Sequence, residues 1–165
     1  MIKSLLAAAL VLAAQAAAGQ EVEALERQLD KARDAAPMTV RKFMLVEQPA
    51  KYFGDYQERK NRSYTRGEKL HFYAEPRNLV MRQVDGGYEA ALEVDIEVAP
   101  EKGQAHKQPK FMSVKIPSRS RIQDLYLNMS VSLGEAPPGN YSVKFVVRDM
   151  NSKKVAAVGQ SVVLK

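Results

Sequence analysis

Residues 52–66 bring together the two side-chain types that bind sugars and anions. Four aromatic and four basic residues share this stretch: Tyr52, Phe53, Tyr56, Tyr64, Arg59, Lys60, Arg62 and Arg66. Aromatic rings stack on sugar rings or bases, and cations hold anionic groups. We therefore predict ligand contacts at five of them: Tyr56, Arg59, Arg62, Tyr64 and Arg66. The alternative is that Phe53 and one or two tyrosines close one end of a core while the cations stay solvated.

A second stretch, Lys102–Arg121, is basic throughout. It holds six cations and no acidic residue: Lys102, Lys107, Lys110, Lys115, Arg119 and Arg121. Such a run creates a positive field that attracts acidic polymers, and Lys107 and Lys110 are its predicted ligand contacts. An anionic glycan or an acidic protein surface suits an exported chain, whereas nucleic acid does not. The alternative is a solvated loop followed by lysines that guard an edge strand against aggregation.

The sequence carries no pattern typical of a catalytic or metal site. It has two histidines, His71 and His106, and no cysteine. No motif at ligand spacing accompanies the histidines, and no Gly-x-Ser-x-Gly elbow marks a nucleophile. The carboxylates Glu93, Asp95 and Glu97 alternate along one segment, as expected of a solvated strand face. We predict a protein that is not an enzyme and uses neither a metal nor a cofactor.

Residues 1–18 are predicted to be a cleavable signal peptide. Lys3 precedes an apolar run, Leu5–Ala14, and the small residues Ala16 and Ala18 follow it. Cleavage is predicted after Ala18, with Ala16 as the alternative. A membrane anchor is less favoured, because the apolar run is shorter than the ~20 residues that span a bilayer. The protein is therefore predicted to be periplasmic or secreted and not membrane-spanning after cleavage.

The remaining chain has the length of one domain and a modest positive charge. Loss of Lys3 with the leader lowers the net charge from +6 to +5, which favours anionic partners. Without cysteine the chain forms no disulfide bond, so its stability must come from a hydrophobic core.

A helix is predicted over residues 19–37, between the leader and the rest of the chain. Val22, Leu25 and Leu29 recur at three- and four-residue steps, and Pro37 ends the segment. A helix of this length is marginal alone in water, so its apolar stripe must pack on something. That surface is either its own domain or a partner helix in a short coiled coil.

Residues 38–165 are predicted to form an all-β domain. Three segments alternate clearly between apolar and polar residues: Tyr88–Val98, Leu125–Leu133 and Tyr141–Arg148. Five weaker strand candidates are Thr39–Val46, Lys69–Glu75, Leu79–Val84, Phe111–Ile116 and Lys154–Leu164. In the second of these, the alternation places Leu70 and Phe72 inward and leaves His71 on the surface.

Turn residues separate these segments, and their spacing predicts the architecture. The sequence Asp85-Gly86-Gly87 closes a hairpin, and Pro137-Pro138-Gly139 precedes the penultimate strand. Half-buried strands with turns about every ten residues indicate an antiparallel β-sandwich of seven or eight strands, preceded by the short helix.

The last hairpin resembles that of bacterial exported immunoglobulin-like or fibronectin type III-like domains. The resemblance is carried by Pro137–Asp149, by Lys153-Lys154 and by the final apolar strand. It implies that Tyr141 is the tyrosine of the corner that leads into the penultimate strand, with its hydroxyl tied back to the backbone. It implies a fold and no activity.

These observations predict a non-enzymatic exported protein that binds another protein of the cell envelope or a secreted protein. The alternative is a glycan-binding module that recognises peptidoglycan or an acidic polysaccharide through the aromatic and basic loop.

Overall fold

A computed structural model describes the backbone of residues 2–165 and the side chains of residues 19–165. Its elements, in chain order, are α1 (Ile2–Ala35), β1 (Thr39–Val46), β2 (Ser63–Tyr64), β3 (Lys69–Arg77), β4 (Arg82–Val84), β5 (Gly87–Pro100), β6 (His106–Ser118), β7 (Leu127–Ser132), β8 (Gly139–Asp149) and β9 (Val155–Leu164). The chain is therefore mostly β with one N-terminal helix, as predicted. It divides into two compact units, Met1–Ala36 and Pro37–Lys165.

The helix predicted for residues 19–37 corresponds to the second half of α1, which begins earlier, at Ile2, and ends two residues sooner, at Ala35. Three apolar side chains of its predicted stripe are exposed: Val22 by 56%, Leu25 by 57% and Leu29 by 47%. The side chains of the predicted signal peptide lie outside the described residues. Within the described part of the chain, no helix combines the length and apolarity needed to cross a membrane.

The smaller sheet has three antiparallel strands in the order β1-β3-β7. Its central strand, β3, pairs with β1 through Phe43 opposite Ala74, and with β7 through Phe72 opposite Met129. Strand alternation sends Leu70 and Phe72 of β3 inward, where both are fully buried, as predicted.

The larger sheet has the order β2-β9-β8-β5, with β6 on the free side of β5. Strand β4 pairs only with the start of β5, across a turn in which Gly86 has a φ of 80°. Glycine suits this position, because a residue with a side chain would be strained in that left-handed conformation. Strands β8 and β9 pair over their whole lengths as an antiparallel hairpin.

The inward faces of the two sheets share one hydrophobic core. The ring of Phe145 on β8 lies 5.0 Å from that of Phe72 on β3 and 6.0 Å from that of Phe43 on β1. The hydroxyl of Tyr141 donates a 2.7 Å hydrogen bond to the carbonyl of Pro137, which is the backbone tie expected at this tyrosine. The core of the β unit is thus built by side chains from both sheets.

Each of the eight predicted strands corresponds to an observed one: Thr39–Val46 has the bounds of β1, and the other seven have shifted ends. Strand β6 begins at His106, five residues before the predicted start, and β4 begins at Arg82 instead of Leu79. The two-residue β2 was not predicted, because two residues display no periodicity. It is held by parallel pairing of Tyr64 with Leu164 of β9.

Candidate functional site

The segment after β1 packs on the outer face of the smaller sheet instead of extending into solvent. The side-chain amide of Asn128 on β7 accepts a 3.0 Å hydrogen bond from the backbone N–H of Ala50 and donates one of 2.7 Å to its carbonyl. Tyr126 donates to the carbonyl of Lys51 at 3.0 Å, and the N–H of Gly54 donates to the Tyr73 hydroxyl at 3.0 Å. Tyr73 is consequently buried although its strand position faces outward.

Tyr56 belongs to this packed segment. Its ring lies 4.7 Å from the Tyr73 ring, and the amine of Lys42 lies 4.8 Å from the Tyr56 ring centre and contacts its hydroxyl. The ring is half-buried by these neighbours. Only part of Tyr56 is therefore available to a ligand.

Arg59 and Tyr64 stabilise the fold where the sequence predicted a ligand. Tyr64 is 1% exposed and belongs to the main core, and the Arg59 guanidinium lies 4.1 Å above its ring. Arg59 also donates to Glu68 at 2.6 Å and to the carbonyl of Ser63 at 2.9 Å. Burial raises the pKa of Tyr64, and among the described residues its hydroxyl has no hydrogen-bond partner. The Tyr64 ring is closed to a ligand from solvent, so the alternative of an aromatic that completes the core describes this residue.

Arg62 and Arg66 lie on the surface. When the side-chain oxygen of Gln160 faces Arg62, it accepts two hydrogen bonds from the guanidinium, from Nη2 at 3.0 Å and from Nε at 3.1 Å. Arg66 is 55% exposed and forms a 3.3 Å ion pair with Glu135, itself 88% exposed. Exposed ion pairs of this kind contribute little to stability, so Arg66 and Glu135 can each leave the pair to contact a ligand.

A buried carboxylate that the sequence analysis did not single out lies two residues after Tyr73 on β3. Glu75 is 1% exposed, and Arg41 donates to its Oε2 through Nε at 3.0 Å and Nη2 at 2.7 Å. Arg77 lies 3.8 Å from the same oxygen and stacks 5.5 Å from the ring of Phe53. A charge is buried only when it is paired, and these two arginines satisfy that requirement. Its place in β3, two residues after Tyr73, predicts only an outward direction, and its burial depends on the two arginines and on Tyr73, which donates a 3.1 Å hydrogen bond to its Oε1.

Strand β6 carries the second predicted site and forms an edge of the larger sheet. Lys107 pairs with Glu97 at 3.2 Å and Lys110 with Glu93 at 3.4 Å, while both lysines remain more than 70% exposed. In the described chain, β6 pairs with no strand except β5. The acids of β5 are thus paired with cations of a neighbouring strand and are not simply solvated.

A bulge interrupts β6 opposite Asp95. Lys110 has a φ of 53°, and its backbone N–H donates to the Asp95 carboxylate at 3.0 Å. That hydrogen bond is the main reason why the pKa of Asp95 lies below its ordinary value, and Arg148, which pairs with the same carboxylate, lowers it further. The bulge lets Phe111 turn inward to 6.1 Å from Phe145.

An apolar groove opens beside the first half of β6. Its walls are Val98 of β5, Leu133 and Ala136 after β7, and Tyr141 of β8. Lys102 and His106 are exposed at its rim. The groove and the free edge of β6 together form the candidate site, which combines apolar surface, cations and an unpaired strand edge.

His71 lies beside a serine of the neighbouring strand β7. His71 Nδ1 lies 2.7 Å from the Ser130 hydroxyl, and burial lowers the pKa of His71, with smaller effects from Lys69 and Arg59. Within residues 19–165 no carboxylate hydrogen-bonds to this histidine, and that contact orients the base in a catalytic triad. No group of three potential ligands in the described part of the chain is arranged to hold a metal ion.

The chain was also compared with known proteins. No family model and no curated protein matches it, so the geometry of the β6 edge and its groove is the basis for a function.

Proposed function

We propose that this protein is an exported immunoglobulin-like β-sandwich that binds another protein of the cell envelope or a secreted protein through β6 and the adjacent groove. The observation that carries the proposal is the free edge of β6, which lies beside apolar side chains and carries exposed lysines. An unpaired strand edge is a template for pairing with a second chain.

The burial of β6 supports this choice of surface. None of its thirteen residues is fully buried, and Met112, Val114 and Ile116 are half-buried on its inward side. The strands of the opposite sheet number only three, so they leave the inward side of β6 partly uncovered. A partner that covers these side chains gains the free energy of burying apolar surface.

Two further features support export and the sandwich class. The leader pattern of residues 1–18 is that of a signal peptide, and the Tyr141–Pro137 hydrogen bond matches the corner of immunoglobulin-like domains. The packing of two mainly antiparallel sheets over one core is the arrangement such a sandwich requires.

Site-specific photo-crosslinking in the native envelope tests the proposal. A photoreactive residue at Ser113, exposed on β6, is expected to capture one defined protein. The matched control is Ser161 on β9, where Val155 and Val163 present a different exposed apolar surface. Capture at Ser161 and not at Ser113 would show that the interface lies at β9 and not at β6. Capture at neither position would contradict a protein-binding role.

Glycan binding is the second candidate, favoured by Tyr52. This ring is 65% exposed and lies close in sequence to half-buried Tyr56, with Arg62 and Arg66 further along the loop. The triple substitution of Tyr52, Arg62 and Arg66 by Ala should abolish retention on peptidoglycan or acidic polysaccharide, without unfolding, if the loop binds glycan. Retention equal to that of the wild type excludes this loop.

A further inference from the structure

We propose that the ligand of the β6 edge is an extended acidic peptide segment, which adds to the larger sheet as a further strand along Phe111–Ile116. This inference rests on the protein-binding function proposed above. It specifies the chemical class of the partner and the way in which it binds.

The window for strand addition is defined by two prolines. Pro109 and Pro117 lack a backbone N–H and therefore limit pairing at both ends of β6. Between them, Phe111–Ile116 contains no proline and a single charge, Lys115. The segment is long enough for a short added strand, and the prolines hinder pairing in other registers.

The two sides of an added strand would meet different surfaces. Its inward side chains would continue the row formed by Met112, Val114 and Ile116. Its outward side chains would lie beside Lys115 and, toward the other end, Lys110, whose amine lies 3.4 Å from Glu93 on the outward face of β5. A peptide that alternates apolar and acidic residues fits both sides.

Charge distinguishes this occupant from a second copy of the chain. Residues 102–121 contain six cations and no acid, so pairing two copies of β6 would bring lysines close together across the new ladder. Like charges on neighbouring strands are destabilising, whereas opposite charges stabilise a cross-strand pair. The edge is consequently biased against self-association and toward an acidic strand.

A defined peptide tests the binding mode on the purified full chain. The probe is a seven-residue peptide in which aspartate alternates with leucine, and the control replaces every aspartate by lysine. At low salt, we expect the acidic peptide to bind at least tenfold more tightly than the lysine peptide. The binding of the acidic peptide should weaken as salt is added. Nuclear magnetic resonance shifts should concentrate at the amides of Phe111–Ile116.

Backbone methylation separates strand addition from simple contact of side chains. Two versions of the acidic peptide carry N-methyl groups on alternate residues, one on the odd and one on the even positions. A strand added to an edge pairs through only one of its two sides, so one version should lose binding and the other should keep it. Equal affinity of both versions would overturn strand addition.

Charge reversal on the protein provides the second measurement. Lys115→Glu should weaken the acidic peptide at least fivefold and strengthen the lysine peptide, while Lys153→Glu, an exposed control in the β8–β9 turn, should change neither. Failure of every peptide, with Ser113 still crosslinked to a protein, would overturn the acidic-strand inference and leave the protein-binding function standing. If no peptide binds and Ser113 captures no protein, both the acidic-strand inference and the protein-binding function are overturned.

Discussion

Tyr141 ties the turn before β8 to the core through a single hydrogen bond. Its ring is 6% exposed, and its hydroxyl donates to Pro137 at 2.7 Å. The substitution Tyr141→Phe removes the hydroxyl and keeps the ring, so it should lower the free energy of unfolding by about 1 kcal/mol. Urea denaturation measures the change. Tyr52→Phe, at an exposed ring, is the control and should stay within about 0.5 kcal/mol of the wild type. Equal stability of the two variants would show that the hydroxyl bond does not secure the turn.

Asp95 makes part of the stability depend on pH. Its pKa is lowered in the folded chain, mainly by the backbone N–H of Lys110, so its charged form stabilises the fold. That contribution is present above the unfolded pKa of about 3.9 and is lost as the pH falls through the lower folded value. Asp95→Asn should therefore be less stable than the wild type at pH 7, and the difference should shrink as the pH falls from about 5 toward 2.

The measurement for Asp95 is a series of urea titrations over this pH range. Ser142→Ala, an exposed residue of β8 that carries no titrating group, should follow the wild-type profile. A difference between Asp95→Asn and wild type that stays constant with pH would contradict the electrostatic explanation.

Among the elements, the segment between β1 and β2 depends on an amide of β7. Asn128 makes two hydrogen bonds to Ala50, and each contributes about 1 kcal/mol. Asn128→Ala should let residues 48–57 open more often and accelerate their amide hydrogen exchange at least tenfold. Mass spectrometry of exchanged peptides detects this. Asn140→Ala, on β8, should leave the segment unchanged, and slow exchange in both variants would show that the aromatic contacts alone hold it.

The strands were predictable because alternation is a local signal. In β8 from Tyr141 to Val147, and in β5 from Leu92 to Glu97, burial alternates as the apolar pattern does, whereas Ala91 is buried on the outward side of β5. The ends of β6 and β4 were less predictable. The bulge at Lys110 interrupts the alternation of β6, and the turn at Asn78, with a φ of 60°, does not continue as strand. Strand ends of this kind depend on backbone turns more than on periodicity.

The candidate site was predictable only in part. The basic run at residues 102–121 indicated a cationic surface, and the structure places three of its four lysines on an edge strand. The roles of Tyr64 and Glu75 depended on contacts distant in sequence: Tyr64 pairs with the last strand, and Glu75 accepts hydrogen bonds from Arg41 of β1. The spacing of neighbouring residues does not reveal contacts between residues far apart in sequence. The composition of the loop therefore suggested ligand binding, although part of the loop packs into the fold.

At the scale of the whole β unit, the two sheets are covered unequally. The segment after β1 packs on the smaller sheet and buries Tyr73. No comparable segment covers β6 in the described chain, and its inward side chains stay half-buried. A partner that covers these half-buried side chains of β6 gains the free energy of burying their apolar surface.

The β unit should fold without the helix that precedes it. Its main core runs from Met38 to Leu164, and every buried member of that core lies within Pro37–Lys165. A chain of this size buries enough apolar surface for independent stability. Residues 37–165 alone should therefore give a β-type circular dichroism spectrum and a single cooperative urea transition. A chain that ends at Lys153 is the matched control, because it lacks β9, which pairs with β8 at ten positions and supplies Val162 and Leu164 to the core, and it should be unfolded. An unfolded 37–165 chain would mean that the fold requires contacts from the helical unit, and a folded chain lacking β9 would mean that the β8–β9 hairpin does not hold the larger sheet together.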